Sequence, residues 1–130
     1  MQRPSAPLEV IQKPKGKLPR LPFALLRDEI LGADYELTIA FISPAAIKKI
    51  NSEYRKKDYI PNVLSFPLGK KQGEIYACLS QIKKDAPKHG EPYKTFLPFL
   101  ILHSMLHLKG YAHGSRMERE EARLREKYNF

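Results

Sequence analysis

A chain of 130 residues with 42% hydrophobic residues can form one domain with a core but not two ordinary domains. Its 23 Lys and Arg against 14 Asp and Glu give a net charge of +9, which favours a polyanionic partner without separating nucleic acid from an acidic protein or membrane surface. The single cysteine excludes an internal disulfide, and the pattern of a secretory signal is absent, so we expect a cytoplasmic protein. The longest apolar run, over residues 96–102, is far shorter than the roughly 18–20 residues that span a bilayer, so no membrane partner is expected.

The first third of the chain alternates between strand and helix patterns. Residues 8–12 predict a first strand, and the breakers and charges of residues 13–17 predict an exposed loop, either a phosphate contact or an ordinary solvated turn. Apolar residues recur at helical spacing over residues 21–31, and Gly32 ends this predicted helix. Residues 35–41 alternate apolar and polar side chains, which predicts a strand with one buried face.

A second helix is predicted to begin at Ser43, whose hydroxyl can cap it, and a proline follows in its first turn. Its apolar positions keep helical spacing as far as Tyr54. A basic trio lies on its outer face or just beyond its end: Arg55, Lys56 and Lys57.

Two strands and three helices are predicted in the second half. Residues 63–66 and 74–79 predict strands joined by a hairpin turn, with Cys78 buried inside the second strand. A hydroxyl residue is expected to cap each of the three helices that follow: Ser80, Thr95 and Ser115. The middle helix is apolar on every side over residues 96–102, which predicts burial, and Gly110 ends it.

Further details of the last two helices complete the predicted fold. Pro98 is expected in the first turn of the buried helix, where amides lack partners. The last helix has a capping-box spacing from Ser115 to Glu118, and Glu121 lies four residues before Arg125. The order of elements predicts an α+β fold, in which residues 1–130 form a single domain with a small mixed four-stranded sheet packed with about five helices.

Three of the four histidines lie close together, at His103, His107 and His113. Residues four apart on a helix share one face, so His103 and His107 can point at one ion. Gly110 can take a left-handed conformation that reverses the chain and returns His113 to that ion. Three neutral nitrogen ligands leave a fourth tetrahedral position open, as in catalytic zinc sites. We therefore predict one zinc ion per chain, the alternative being ordinary core or surface histidines.

The same histidine spacing occurs in the metzincin proteases, in which a catalytic glutamate follows the first histidine. Here that position is Ser104. A hydroxyl with no base beside it cannot accept a proton from a metal-bound water as a carboxylate would. A metzincin-like metalloprotease is therefore the weakest of the functions considered.

Two blocks of the sequence resemble the YbeY family of rRNA maturation factors, proposed to be zinc-dependent endoribonucleases. One block follows the histidine motif of that family: His103, Leu106, His107, Leu108, Gly110, Tyr111 and His113. The other follows the stretch from the second helix into the third strand: Asn51, Tyr54, Arg55, Asp58, Val63, Leu64, Ser65, Phe66 and Pro67. Similar residues also stand at Gly73, Glu74 and Ile75, which open the next strand, and at Met117 and Glu121 of the last helix.

The resemblance implies that the three histidines bind zinc and that Arg55 lies across a cleft as the catalytic residue. A guanidinium suits a phosphate because it donates two parallel hydrogen bonds, although the sequence alone favours a helix-end cation at this position. In this hypothesis the metal-bound water attacks the phosphodiester while Arg55 offsets charge developing on the phosphate.

Substrate binding is expected from Arg55 with Lys56, Lys57, Asn62 and Ser65. Ribosomal RNA or another RNA is the partner that the resemblance implies, together with ribosomal proteins or ribosome-associated factors. The expected function is thus a zinc-dependent single-strand endoribonuclease acting in rRNA maturation and ribosome biogenesis.

The sequence also departs from the family pattern. The family usually has Gly at Ser104, Asp at Ala112, and Thr and Asp at Pro61 and Asn62. An Asp beside the third histidine could orient a ligand or hold a water, so Ala112 removes a plausible supporting carboxylate. This departure keeps an alternative open, a non-catalytic zinc-containing ribosome-assembly factor that binds RNA and protein.

Overall fold

The computed structural model describes residues 5–13 and 19–130, so residues 14–17 of the predicted loop lie outside the described part. Its helices and strands in chain order are β1 (Leu8–Gln12), α1 (Phe23–Ile30), β2 (Glu36–Phe41), α2 (Pro44–Arg55), β3 (Val63–Gly69), β4 (Gln72–Ala77), α3 (Leu79–Asp85), α4 (Tyr93–Lys109) and α5 (Ser115–Tyr128), with a short 3₁₀ turn at Pro87–His89. The predicted α+β class is confirmed.

The four strands form one mixed sheet in the order β1-β2-β4-β3. β2 pairs in parallel with β1 and with β4, while β3 runs antiparallel to β4 across a tight turn at Lys70 and Lys71. Parallel neighbours need a crossover, and α1 supplies the one between β1 and β2. β3 is therefore an edge strand, and its free edge faces the site described below.

One face of the sheet packs against α4, which is the centre of the core. Leu37, Ile39 and Phe41 of β2 all turn to this face, as their alternation predicts, and each is at most 1% exposed. α4 buries nine of its residues, in agreement with its apolar pattern. α1, α3 and α5 pack around α4, so the helix that carries two of the candidate ligands is held on several sides.

In the part of the chain that the structure describes, α2 is the helix that covers the opposite face of the sheet. Ile47 of α2 packs there with Leu64 and Cys78. Tyr54, predicted as part of the apolar face of α2, is instead 72% exposed, although its ring still contacts that of Phe66 on β3. Cys78 is buried as expected, but it follows β4 and precedes the first residue of α3.

Helix starts are where the sequence predictions fail most. The Ser43 cap is confirmed, since its hydroxyl accepts a hydrogen bond from the amide of Ala46 (3.2 Å). The three other predicted caps are wrong, because each residue lies inside the helix it was expected to precede: Ser80, Thr95 and Ser115. The first residues of α3 and α4 pack against the core, and this burial fixes where those helices begin.

Two predictions about the interior of the last helices are also wrong. Pro98 is the sixth residue of α4 and lies beyond its first turn, where burial on the sheet retains it. Glu121 and Arg125 do not pair with each other, since Glu121 bonds to His103 and Arg125 to Glu91. Tertiary partners have displaced the weak pairing along the helix.

Within residues 5–13 and 19–130, no helix is both long and apolar enough to cross a membrane.

Candidate metal centre

The last turns of α4 present His103 and His107 on one side. Their Nε2 atoms lie 3.1 Å apart. Two nitrogens that each bind a tetrahedral zinc at about 2.0–2.1 Å stand roughly 3.4 Å apart. The helix therefore places the first two candidate ligands near the separation that one zinc ion requires.

The end of α4 turns His113 back toward this pair. Gly110 has a φ of +112°, a conformation that costs little only for glycine, and the amide of Tyr111 closes the helix by bonding to the Leu106 carbonyl (3.0 Å). The ring centroid of His113 lies 4.6 Å from that of His107 and 5.3 Å from that of His103. Candidate ligand atoms of the three histidines all lie within 4.8 Å of one another.

Hydrogen bonds fix which ring nitrogen is free on His107. Its Nδ1 is 3.1 Å from the carbonyl oxygen of Tyr111, which only accepts, so Nδ1 carries the proton and donates. Burial, followed by the neighbouring His103, lowers the pKa of His107 and keeps its ring neutral at pH 7. The Nε2 lone pair therefore points, unprotonated, toward the other histidines.

A carboxylate holds His103 in the same way. The Nδ1 of His103 lies 3.1 Å from Oε1 of Glu121, and the two side chains are 20% and 13% exposed. An ionised carboxylate accepts a hydrogen bond from Nδ1–H and leaves the Nε2 lone pair free for a metal, an arrangement found repeatedly around zinc-binding histidines. Two lone pairs facing each other at 3.1 Å repel unless a cation lies between them, so these residues fit a zinc ion.

The three histidines lie on one wall of a cleft of about 570 Å³. The free edge of β3, including Ser65, forms the facing wall, and Asn62 lies at its start. Arg55, at the end of α2, also lines this cleft and is exposed to solvent. The structure thus brings Arg55, Asn62 and Ser65 together with the histidines.

The other predicted substrate-binding residues lie outside that lining. Lys56 ends α2 in a left-handed conformation (φ +58°), and Lys57 follows it; both are exposed and neither is among the residues that line the cleft. The amide of Asn62 donates to Asp85 (3.1 Å), so part of its hydrogen-bonding capacity is already used within the fold.

The two departures in the histidine motif have different structural settings. Ser104 is buried, and its hydroxyl donates to the carbonyl of Leu100 (2.9 Å), which satisfies its proton within α4. Ala112 is exposed on the loop between the second and third histidines. Among the residues that the structure describes, no side chain lining the cleft is a carboxylate.

Glu121 is the site residue whose role the sequence analysis missed. It was assigned to a pair with Arg125, whereas the structure places it against His103. The pattern of α5 could have shown this, because Met117 and Leu124 are both fully buried and Glu121 lies between them at helical spacing on the same face. A carboxylate in the middle of a buried helical face needs a partner inside the protein.

Comparisons with known proteins find matches over most of the chain. The model of the family Endoribonuclease YbeY matches residues 20–129. An endoribonuclease YbeY of Finegoldia magna is 35% identical over 109 residues, covering 78% of this chain and 71% of the relative. One of Aromatoleum aromaticum is 35% identical over 104 residues, covering 75% and 68%. These matches confirm the resemblance predicted from the sequence.

A solved structure supports the fold. The solution structure of a Thermotoga maritima protein matches with a TM-score of 0.63 and 23% sequence identity, covering 93% of this chain and 88% of that one. At this identity the likeness concerns the architecture alone.

Proposed function

Because the chain belongs to the endoribonuclease YbeY family, we propose that it is a zinc-dependent endoribonuclease whose single domain cleaves single-stranded RNA. Its curated relatives carry the endoribonuclease name. The proposal assigns the metal to His103, His107 and His113, one ion per chain, and the contact with the scissile phosphate to Arg55.

One observation carries this proposal, namely that a metal-type histidine cluster and a free guanidinium line the same cleft. A zinc ion held there would lower the pKa of a coordinated water and polarise a phosphate oxygen. Arg55 would donate two parallel hydrogen bonds to the phosphate and offset charge that develops on it.

The rest of the chain would hold the histidines and receive the RNA. Glu121 and the Tyr111 carbonyl keep the Nδ1 protons of His103 and His107 away from the ion. Ser65 and Asn62, on the β3 side of the cleft, can hydrogen-bond the nucleotide next to the scissile bond. Lys56 and Lys57 directly follow Arg55 in the chain, and their exposed charges can attract the RNA backbone, in keeping with the net charge of +9.

Ribosomal RNA, processed in the cytoplasm, is the substrate that fits the family best, with ribosomal proteins or ribosome-associated factors as further partners. A non-catalytic assembly factor is the second candidate, favoured by the lack of a carboxylate among the described cleft residues. Nothing comparable favours a metalloprotease, which would need such a carboxylate as its base.

The test begins with zinc content and RNA cleavage, measured for the wild-type chain and for a triple variant with His103, His107 and His113 changed to Ala. We expect about one zinc per chain and cleavage of a single-stranded RNA, both lost in the triple variant, with RNA affinity retained. Cleavage that survives in the triple variant would contradict the assignment, and RNA binding without cleavage by the zinc-loaded wild type would favour the assembly factor.

Arg55→Lys tests the contact with the phosphate separately. This variant keeps the charge but loses the two-pronged donor, and we expect cleavage to fall by roughly 10²–10³-fold with the zinc content unchanged. Arg119→Lys, at an exposed position of α5, is the matched control and should cleave like the wild type. Equal activity of the two variants would show that Arg55 does not contact the phosphate.

A further inference from the structure

A second groove lies on the opposite side of β3 from the metal centre. It has a volume of about 440 Å³, within the range of roughly 300–1,000 Å³ that is typical of ligand sites. Three aromatic rings line it in sequence, since Tyr54 contacts Phe66 and Phe66 contacts Tyr76, each with ring centroids 6.0 Å apart. Tyr54 is 72% exposed, so much of its ring is open to a ligand.

This aromatic groove is continuous with the metal cleft. Phe66 and Pro67 of the edge strand line both of them. The end of α2 also connects them, because Tyr54 lines the groove and the next residue, Arg55, lines the cleft. A strand of RNA with a phosphate at Arg55 therefore needs to cross only one edge strand for a neighbouring base to reach the groove.

A carboxylate without a positively charged partner lies among the rings. Oε1 of Glu74 accepts a hydrogen bond from the Tyr76 hydroxyl (3.1 Å), and burial together with Glu74 raises the pKa of Tyr76, so that this phenol stays protonated. Among the described residues no Lys, Arg or His nitrogen lies within 4 Å of the Glu74 carboxylate. Glu53, at the rim, is 54% exposed in its side chain and pairs with Lys49 (4.0 Å).

The charges around the groove limit what can occupy it. An apolar peptide side chain would bury the charged Glu74 carboxylate with only the Tyr76 hydroxyl bonded to it, which is unfavourable. A basic peptide could pair with Glu74 but would meet the cations that follow each flank, in a chain of net charge +9: Arg55, Lys56 and Lys57 after α2, and Lys70 after β3, where the next residue, Lys71, already pairs with Asp34. A nucleic acid can satisfy both Glu74 and the flanking cations. Its bases present N–H donors to the carboxylate and flat apolar faces to the rings, and its anionic backbone is attracted to the cations.

We propose that this aromatic groove is a base-binding subsite that takes a guanine next to the scissile phosphate, a proposal that rests on the RNA-cleaving function above. Tyr54 stacks on the base, as aromatic side chains do on single-stranded RNA. Glu74 accepts the two neighbouring donors of guanine, N1–H and the N2 amino group. Adenine and cytosine present one amino group beside an acceptor nitrogen, and uracil presents one N–H between two acceptors, so each satisfies a carboxylate less well.

The test measures affinity for two short fluorescent 2′-O-methyl oligonucleotides with the zinc-loaded full chain. One probe contains only uracil, the other has one central guanine, and gels check that both remain intact. We expect the wild type to bind the guanine probe at least about fivefold more tightly. Glu74→Gln should reduce this preference to less than about twofold, and Tyr54→Ala should weaken binding of the guanine probe by about fivefold to a hundredfold.

Matched variants separate the role of the groove from the general effects of changing the net charge or removing an exposed aromatic ring. Glu126→Gln raises the net charge by the same amount as Glu74→Gln but at an exposed position of α5, and should keep the guanine preference. Tyr59→Ala removes another exposed ring, 53% exposed against 72% for Tyr54 and outside the groove lining, and should bind like the wild type. Tyr54→Phe keeps the stacking ring and should restore most of the binding that Tyr54→Ala loses.

The possible failures are distinguishable. If the wild type binds both probes equally and Tyr54→Ala behaves like Tyr59→Ala, the base subsite is refuted while the nuclease proposal stands, and the groove would suit a protein partner instead. If the wild type binds neither probe at low salt, the RNA function itself is wrong and the subsite fails with it.

Discussion

Replacing Glu121 by Ala removes a carboxylate that bonds to a candidate metal ligand, the one such contact among residues 5–13 and 19–130. The Glu121 side chain is 13% exposed and accepts from Nδ1 of His103 at 3.1 Å. Without it, the His103 ring can rotate, or move its proton to Nε2, the atom that should bind the metal. The variant should therefore bind zinc more weakly while the fold persists.

The expected size of the effect follows from the role of the lost contact. Removing a hydrogen-bond partner of a metal-bound histidine typically costs about 10–100-fold in metal affinity, and we expect Glu121→Ala to fall within that range. Glu121→Gln keeps an acceptor oxygen for Nδ1 but loses the negative charge, so its loss should be smaller, about tenfold or less. The characteristic result is a zinc affinity that falls from the wild type to Glu121→Gln and falls further in Glu121→Ala.

Competition with a chromophoric chelator measures the zinc dissociation constants, and the absorption spectrum of the cobalt-substituted protein reports on ligand geometry. Glu118→Ala, at an exposed position one turn earlier on α5, is the control and should match the wild type. Thermal unfolding of the metal-free proteins checks that α5 stays in place, as Met117 and Leu124 should ensure. Equal zinc affinity of Glu121→Ala and Glu118→Ala would refute the positioning role.

Three further predictions concern other parts of the molecule. Gly110→Ala introduces a Cβ at φ +112° and should lower the free energy of unfolding by about 1–2 kcal/mol in thermal or urea denaturation, and weaken zinc binding because His113 follows this turn. Hydrogen bonds from Lys127 and, to a smaller extent, from Tyr128 lower the pKa of Glu29 to about 2, below its unfolded value. The stability that ionised Glu29 adds to the fold is therefore complete above about pH 4.5 and is lost as the pH falls toward 2. The difference in unfolding free energy between the wild type and Glu29→Gln should therefore shrink over that interval, and a constant difference would contradict it. Raising salt from about 50 to about 200 mM should weaken RNA binding roughly tenfold or more if at least three phosphates are neutralised, and a salt-independent affinity would exclude the polyanion interpretation.

Local patterns predicted the histidine pair and its turn because both depend on short-range geometry. His103 and His107 share a face by the periodicity of a helix, and the φ of Gly110 is one that glycine tolerates. The alternation in β2 likewise identified its buried face, since side chains of a strand alternate wherever the strand is placed. These features needed no knowledge of how distant elements pack.

Contacts between distant elements could not be predicted in the same way. The position of Arg55 across the cleft depends on β3 being the edge of the sheet, and the strand order is not fixed by any local pattern. The exposure of Tyr54 could not be predicted from the spacing of α2 either, because it depends on which distant residues pack beside the end of the helix. For Arg55, the resemblance to a family predicted a position across the cleft that composition and spacing could not predict.

The carboxylate at the metal centre shows why a motif should be judged together with the elements that pack on it. Within the histidine motif, Ala112 stands where the family usually has Asp, and considered alone this departure weakens the case for a working zinc site. The structure supplies a carboxylate from α5, since Glu121 bonds to the first histidine of the motif. His107 is supported by the Tyr111 carbonyl, so the first two histidines both have a partner for Nδ1 without Ala112. The third histidine, His113, is the one that could lose a supporting carboxylate because Ala112 stands in place of Asp. If an Ala112→Asp variant binds zinc more tightly than the wild type does, that support for His113 was lost.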